Sequence, residues 1–337
     1  MPAARPKRDL LSISDVAEEL GALLAHAARL KSERRNGVAR ATLLGRHLAM
    51  IFEKPSTRTR TSFEVAISDL GGRALYLSAN DLQLGRGETI ADTARVLSRY
   101  VDAICYRAFR HENVVELARW ASVPVINALD DLEHPCQIVA DLLTMRERWP
   151  DGFRGRRLAW VGDGNNVLHS LLLGAAAVGL DLVAAVPEAY RPRPNVVQAA
   201  RALADRTGAT LTFTPSPDQA AKGADALYTD VWVSMGDEAE RAERERAFAG
   251  YQVNAHLLGL AAREAFVLHD LPAHRGQEIT DDVLDGPRSA AWDQAENRLH
   301  AQKAILERLL LPPPGQERAR SGRSIVHRRT RARPRKG

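Results

Sequence analysis

Short apolar runs alternate along this chain with stretches of helical period, and that alternation sets the expected fold. Residues 48–52 (LAMIF) read as a strand, followed by a loop containing Pro55. A helix is expected to begin near Ser56 to Arg58. Its Phe63, Ala66, Ile67 and Leu70 fall at i, i+3, i+4 and i+7, one buried face. Gly71-Gly72 stops it, and 73–78 reads as a second strand. Further strands are predicted at 103–106 and 123–127 with a helix, 112–121, between them. A long helix over 135–149 closes at Pro150-Asp151-Gly152, a boundary signal. Residues 157–162, 167–178 and 182–186 then read as strand, helix and strand. At the chain's ends, 9–30 is expected to be one amphipathic helix, and 293–311 a helix long enough to reach back to the first half. The sequence shows no internal repeat. The pattern predicts an α/β protein of two doubly wound parallel-sheet domains joined by interdomain helices, with the C-terminal helix packing back on the N-terminal domain. The expected units are 8–150, 151–311 and a tail at 312–337.

Composition agrees with that picture and removes several function classes. A chain of 337 residues with 45% hydrophobic positions can bury two cores. No apolar run approaches the ~18 residues of a membrane span, and residues 1–8 are basic without the apolar stretch of a secretory signal. Cys105 and Cys136 are too few for a disulfide framework or a cysteine metal site, so a reducing, cytoplasmic compartment is expected. The net charge of +5 is uneven. From 312 onward there are nine basic residues and one acidic, a tail of +8 that leaves the rest at −3. The tail holds little to bury and is expected to be disordered. Its arginines could contact nucleic acid phosphates, but it has no stacking aromatics and no recognisable module, so nucleic acid is not the expected partner.

Ser56-Thr57-Arg58-Thr59-Arg60 carries the strongest chemical signal. It lies at a strand-to-helix junction, where unpaired backbone N–H groups and the helix dipole favour an anion. Hydroxyls add donors there, and guanidinium forks match phosphate oxygens.

The string EKPSTRTRTSFE at 53–64 resembles the carbamoyl-phosphate signature of the aspartate/ornithine carbamoyltransferase family, and His134-Pro135-Cys136-Gln137 resembles its H-P-x-Q motif. The resemblance extends from about residue 9 to about residue 311, with the motifs in order and correctly spaced. It implies transfer of the carbamoyl group of carbamoyl phosphate to an amine. Negative charge grows on the carbonyl oxygen and then on the departing phosphate, so donors must wait at both. By the resemblance, Ser56, Thr57, Arg58, Thr59 and Arg60 hold the phosphate. Thr59, Arg107 and His134 face the carbonyl oxygen, Gln137 faces the carbamoyl NH2, and Arg298 joins from the last helix. Asp270 and Leu271 lie beside the same substrate. Gln83 resembles a residue that trimers of the family lend to a neighbouring subunit, so a homotrimer or a multiple of trimers is implied. No cofactor and no metal are implied.

Gly162-Asp163-Gly164-Asn165-Asn166-Val167 imitates a dinucleotide fingerprint. Its third glycine is replaced by Val167, and no acidic residue clearly ends the next strand, so a nicotinamide or flavin site is not expected. The string instead resembles the G-D-G-N-N of the ornithine-type members, in which Asn166 would contact the amino acid's carboxylate end. Asp230-Val231-Trp232-Val233-Ser234-Met235-Gly236 resembles their D-x-W-x-S-M-G segment. Asp230 would pair with the α-ammonium, and Ser234 and Met235 would close over it. L-ornithine is therefore the implied acceptor. His269-Asp270-Leu271-Pro272 departs from the family's His-Cys-Leu-Pro. An amine of pKa near 10.4 is only about 0.04% neutral at pH 7 and must lose a proton before attack. Asp270 could stabilise the ammonium or accept that proton, and it leaves lysine or putrescine open as alternative acceptors.

Overall fold

The computed structural model describes residues 7–79, 82–85, 87–234 and 238–312. After helix α1 (Leu20–Arg35), strands β1 (His47–Phe52), β2 (Arg73–Ser78), β3 (Ala103–Arg107) and β4 (Val125–Leu129) form an all-parallel sheet in the order β2-β1-β3-β4. Helices α2 (Thr57–Asp69), α3 (Ile90–Leu97) and α4 (His111–Trp120) are its crossovers. Helix α5 (Pro135–Arg148) leads into the second sheet, built from β5 (Arg157–Val161), β6 (Asp181–Ala185), β7 (Leu211–Thr214), β8 (Ala226–Thr229) and β9 (Phe266–His269). This sheet is also wholly parallel, in the order β7-β6-β5-β8-β9. Between its strands run α6 (Asn166–Val178), α7 (Pro194–Thr207), α8 (Pro217–Ala221), α9 (Arg241–Phe248) and α10 (Ala255–Leu260). Then come α11 (Asp281–Leu284) and α12 (Ala291–Leu310).

Strand order reverses between β1 and β3 in the first sheet, and between β5 and β8 in the second. Parallel sheets open a crevice beyond the carboxyl ends of their strands at such switch points. The loop from Ser56 follows β1, the loop from Gly162 follows β5 and Asp230 follows β8, so three of the motifs singled out in the sequence start at these ends.

The first helix differs from its expected span. Leu10 adds a bridge to β4, donating its N–H to Val125 at 2.9 Å and accepting from Asn127 at 2.8 Å. Ser12 and Asp15 then form a capping box that opens a 3-10 turn, Ile13–Val16. The helical pattern over 9–30 predicts a single helix, but a free strand edge and a strong cap divide the segment.

Helix α12 packs back on the first sheet's helices as expected. Lys303 reaches Asp69 on α2 at 3.2 Å, and Asn297 donates to Thr144 on α5 at 2.9 Å. The largest buried cluster runs without a break from Leu10 and α2 through α5 and α6 to Trp160 and α12, so the two sheets share one apolar seam. Among the described residues no helix is long and apolar enough to cross a membrane.

Candidate active site

The phosphate-loop reading begins with a cap. Ser56 is extended (φ −160°, ψ 116°), and its hydroxyl accepts from the Thr59 N–H at 3.2 Å. Phe63, Ala66 and Ile67 bury one face of α2, which aims the helix N-terminus at the carboxyl end of β1. Gly72 ends the unit because a Cβ there would sit 2.8 Å from both the Arg46 carbonyl and the Ile67 side chain.

Around that N-terminus the structure gathers residues from four segments. Thr59 is buried, and its Oγ1 accepts from Arg298 Nη2 at 3.1 Å. Arg298 Nη1 donates to Gln137 Oε1, and Gln137 Nε2 donates to Asp141 at 2.8 Å. Arg107, 7% exposed, stands where the β3–β4 register slips between Tyr106 and Arg107, an irregularity of the kind that re-aims a side chain. Burial first, and then repulsion from Arg298 and Arg58, pulls its guanidinium down to about 10. Arg58 is half-buried; desolvation lowers its pKa, against the attraction of Asp270 and Asp230.

His134 precedes Pro135, the first residue of α5, where proline's missing N–H is no loss. Its own N–H donates to Ser170 on α6 at 2.9 Å, fixing the start of α5 against the second sheet's first helix. Burial, then Arg298, Arg107 and Arg58, push the imidazole's pKa well below the usual histidine range, so the ring is neutral.

The other wall is acidic. Asn165 caps α6, accepting from Val167 and Leu168 at 3.0 and 3.1 Å, and its Nδ2 donates to Asp230 Oδ2 at 2.7 Å. Asn166 donates to the Asp130 carbonyl at 2.6 Å. Gly164 is required by packing: a Cβ would lie 2.2 Å from the Tyr190 carbonyl and 2.5 Å from Pro192 N. That glycine serves a loop contact and not a dinucleotide. Asp270 lies beside Asp230, and burial followed by that neighbouring carboxylate holds its pKa well above the usual range. Its side chain is 11% exposed. Leu271 takes φ +59°, a left-handed conformation uncommon for leucine. Its N–H is held by His269 Nδ1 at 2.9 Å, while His269 Nε2 is anchored on buried Glu278 at 3.0 Å.

Four buried atoms here have no hydrogen-bond partner: Arg107 Nε, His134 Nδ1, Arg298 Nε and Asp270 Oδ1. Buried polar atoms are rarely left so. Asp230, His269 and Asp270 present ligand-type atoms within 4.8 Å of one another. Both His269 nitrogens are already engaged, so the cluster is poorly suited to a metal.

The sequence-expected residues do not all converge. Arg58, Arg107, His134, Arg298, Asp230 and Asp270 lie within electrostatic reach of one another, Thr59 and Gln137 are bonded to Arg298, and Leu271 adjoins Asp270, with Ser56 capping the helix of Arg58 and Thr59. Arg60 is turned away. It is exposed, pairs with Glu64 at 3.1 Å and stacks on the Tyr76 ring at 3.7 Å. Residues two apart on a helix do not share a face, so Arg58 and Arg60 cannot both point into the crevice. Thr57 is exposed on the first turn, and Gln83 is exposed on the 3-10 turn Gln83–Gly85. Ser234 is half-buried. Met235 lies outside the described residues, as does the tail from 313. The sequence reading missed Asn165, Asp141, Tyr228 and Gln294. For two of these a signal existed: Gln137 with Asp141, and Gln294 with Arg298, are i, i+4 pairs.

Comparison with known proteins agrees with this geometry. Residues 8–147 match the family model described as "Aspartate/ornithine carbamoyltransferase, carbamoyl-P binding domain". Residues 154–309 match "Aspartate/ornithine carbamoyltransferase, Asp/Orn binding domain". The chain is 56% identical to the ornithine carbamoyltransferase of Methanoculleus marisnigri over 305 residues, 90% of this chain and 97% of that one. It is equally identical to that of Halalkalibacterium halodurans, covering 90% and 95%. Among solved structures, ornithine carbamoyltransferase from Pyrococcus furiosus superposes with a TM-score of 0.87 at 52% identity, covering 90% of this chain and 97% of that one.

Proposed function

The chain belongs to the aspartate/ornithine carbamoyltransferase family, and from that premise we propose that it transfers the carbamoyl group of carbamoyl phosphate to the δ-amine of L-ornithine, giving L-citrulline and phosphate. The observation that carries the reading is a cluster of opposite charges: Arg58, Arg107 and Arg298 lie close enough to act on one another and on His134, with Asp270 and Asp230 beside them. That arrangement suits an anionic, carbonyl-bearing donor on one side and an amine on the other.

In this reading the phosphate lies at the N-terminus of α2, among Ser56, Thr57, Arg58 and Thr59, with Arg298 closing from α12. Arg107 and His134 meet the carbonyl oxygen. A neutral imidazole donates a hydrogen bond without adding a fixed charge, which suits an oxygen that becomes anionic only in the transition state. Gln137 meets the carbamoyl NH2. The amine attacks the carbonyl carbon, the carbon–oxygen bond to phosphate breaks, and phosphate leaves on the arginines, taking up the proton that the attacking nitrogen sheds.

Asp230, Ser234 and Met235, with Asn166, take the amino-acid end of ornithine. Asp270 handles the proton. A docking ammonium passes it to Asp270, whose basicity is raised by burial and by Asp230, and the neutral amine is left beside the donor. We read 8–150 as the donor-binding unit, 151–311 as the acceptor-binding unit and 312–337 as a basic tail outside both. By analogy with the family, the working assembly is a trimer or a multiple of trimers, with Gln83 extended to a neighbour. Two buried free cysteines, Cys105 and Cys136, suit a reducing cytoplasm.

The test is product formation from carbamoyl phosphate with a panel of acceptors: ornithine, lysine, putrescine and aspartate. Citrulline from ornithine, at a kcat/KM well above every other acceptor, is the expected result. Preference for a different amine would replace ornithine, and no carbamoylated product at all would overturn the reading.

A further inference from the structure

The hydrogen-bond chain that runs from Thr59 through Arg298 and Gln137 converges on one fully buried carboxylate. Asp141 is fully buried on α5, one turn after Gln137. Its Oδ1 accepts from Gln137 Nε2 at 2.8 Å and from Gln294 Nε2 at 2.7 Å, and its Oδ2 accepts from the Tyr228 hydroxyl at 2.7 Å. Each donor belongs to a different element: Gln137 to α5, Gln294 to α12 and Tyr228 to β8. Gln137, at its other end, accepts from Arg298, which in turn reaches Thr59. Gln294 uses its carbonyl to accept the His269 N–H at 2.9 Å, immediately before Asp270. Tyr228 lies on β8 two residues before Asp230, and its ring packs edge-on against Trp160 at 5.0 Å.

A carboxylate is a costly way to fill space in this seam, because burying a charge is unfavourable unless donors surround it. Burial pushes the Asp141 carboxyl up to about 6, while the three donors and Arg298 oppose that rise. What the carboxylate supplies, and an apolar residue would not, is one fixed point at which three independent segments must meet. Shifting any of them breaks bonds held by the others, and such networks specify geometry more than pairwise contacts do. Catalytic groups lose rate steeply when displaced by about 1 Å.

We propose that Asp141 is a positioning residue that sets the carbamoyl-phosphate wall against the ornithine wall, acting through Gln137 and Arg298 on one side and through Tyr228 and Gln294 on the other. The inference rests on the carbamoyltransferase reading above.

The experiment is a double-mutant cycle in the full-length enzyme: Asp141→Asn, Gln137→Ala and the pair, with Tyr228→Phe alongside. Steady-state kinetics are read for both substrates, and thermal unfolding is followed in parallel. Asp141→Asn keeps the shape, and about a tenfold or greater loss in kcat/KM for carbamoyl phosphate is expected while the protein stays folded at the assay temperature. If Asp141 acts on the donor side through Gln137, the double variant's kcat/KM for carbamoyl phosphate is scarcely worse than that of Gln137→Ala alone, a non-additivity that mere destabilisation would not produce. Tyr228→Phe removes one donor without removing the ring. It should give a smaller loss, weighted toward ornithine KM, and it carries the test if Asp141→Asn does not fold. Additive effects in the cycle, or kinetics unchanged in both Asp141→Asn and Tyr228→Phe, overturn the proposal. An inactive wild-type enzyme would instead overturn the transferase reading, so the two failures are distinguishable.

Discussion

Replacing Asp270 with asparagine isolates the proton step. An ordinary carboxylate near 3.9 is about 6.5 pKa units less basic than an amine near 10.4, so taking the amine's proton costs it about 9 kcal/mol. Each unit by which the site lifts Asp270 returns about 1.4 kcal/mol of that. The lift follows from structure: the side chain is 11% exposed, lies against Asp230, and has Oδ1 unpartnered. Arg58 opposes it. Asparagine keeps the shape and offers Asp230 an amide N–H, yet it cannot take the proton. Loss of a positioned base is worth about 10²- to 10⁴-fold in rate. Asp270→Asn should therefore lower kcat by that factor while changing ornithine KM less than about threefold, since uniform binding is retained. The assay is citrulline formation from pH 6 to 10 (about the range set by ordinary histidine and amine pKa values). The variant's rate should climb about tenfold per pH unit toward the amine's own pKa, whereas the wild type levels off earlier. Asp270→Cys, which replaces the carboxylate with a thiol, should shift the profile without abolishing turnover. An Asp270→Asn enzyme with wild-type kcat and an unaltered pH profile would refute the argument.

Other outcomes follow from the same geometry. Arg298→Met removes charge-assisted bonds to Gln137 and Thr59, each worth about 1.5–3 kcal/mol. Carbamoyl-phosphate kcat/KM should fall at least about 10²-fold, with a smaller effect on ornithine KM as the contrast to measure. His134→Asn should cost about 10²- to 10³-fold in kcat, the loss typical of one oxyanion donor. Because His134 is held well below its usual pKa, it is uncharged throughout the working range. The ratio of wild-type to variant rates should accordingly stay flat through about pH 6–8, where an ordinary histidine near 6.5 would impose a limb. Gly164→Ala drives a methyl into the Tyr190–Pro192 backbone and should lower unfolding free energy by about 1–3 kcal/mol in urea titration. Ending the chain after Leu311 should leave turnover unchanged and remove any salt-sensitive retention on nucleic acid.

The alternation of strand and helix was legible because parallel strands buried on both faces are continuous apolar runs. The strand at 48–52 and the helix carrying Phe63 and Ile67 were found within a residue or two for that reason. The segment 9–30 was not, since Leu10 is as apolar in a helix as in a bridge to β4; only the distant strand edge decides. The loop Ser56 to Arg60 was legible as a strand-to-helix junction, but the string carries no direction. Helical geometry sends Arg60 to Glu64 and Tyr76 while Arg58 turns inward. The network behind the site was hardest to read. Asp141 and Tyr228 are 87 residues apart, and each taken singly resembles an ordinary buried polar residue.

A crystal structure with carbamoyl phosphate bound tests the central claim most directly. It should place the phosphate oxygens within hydrogen-bond reach of Arg58, Thr59 and the first-turn N–H groups of α2, with the carbonyl oxygen turned to Arg107 and His134 and the carbon open toward Asp270. A phosphate held elsewhere, or one gripped by Arg60 with Arg58 and Arg298 idle, would contradict it.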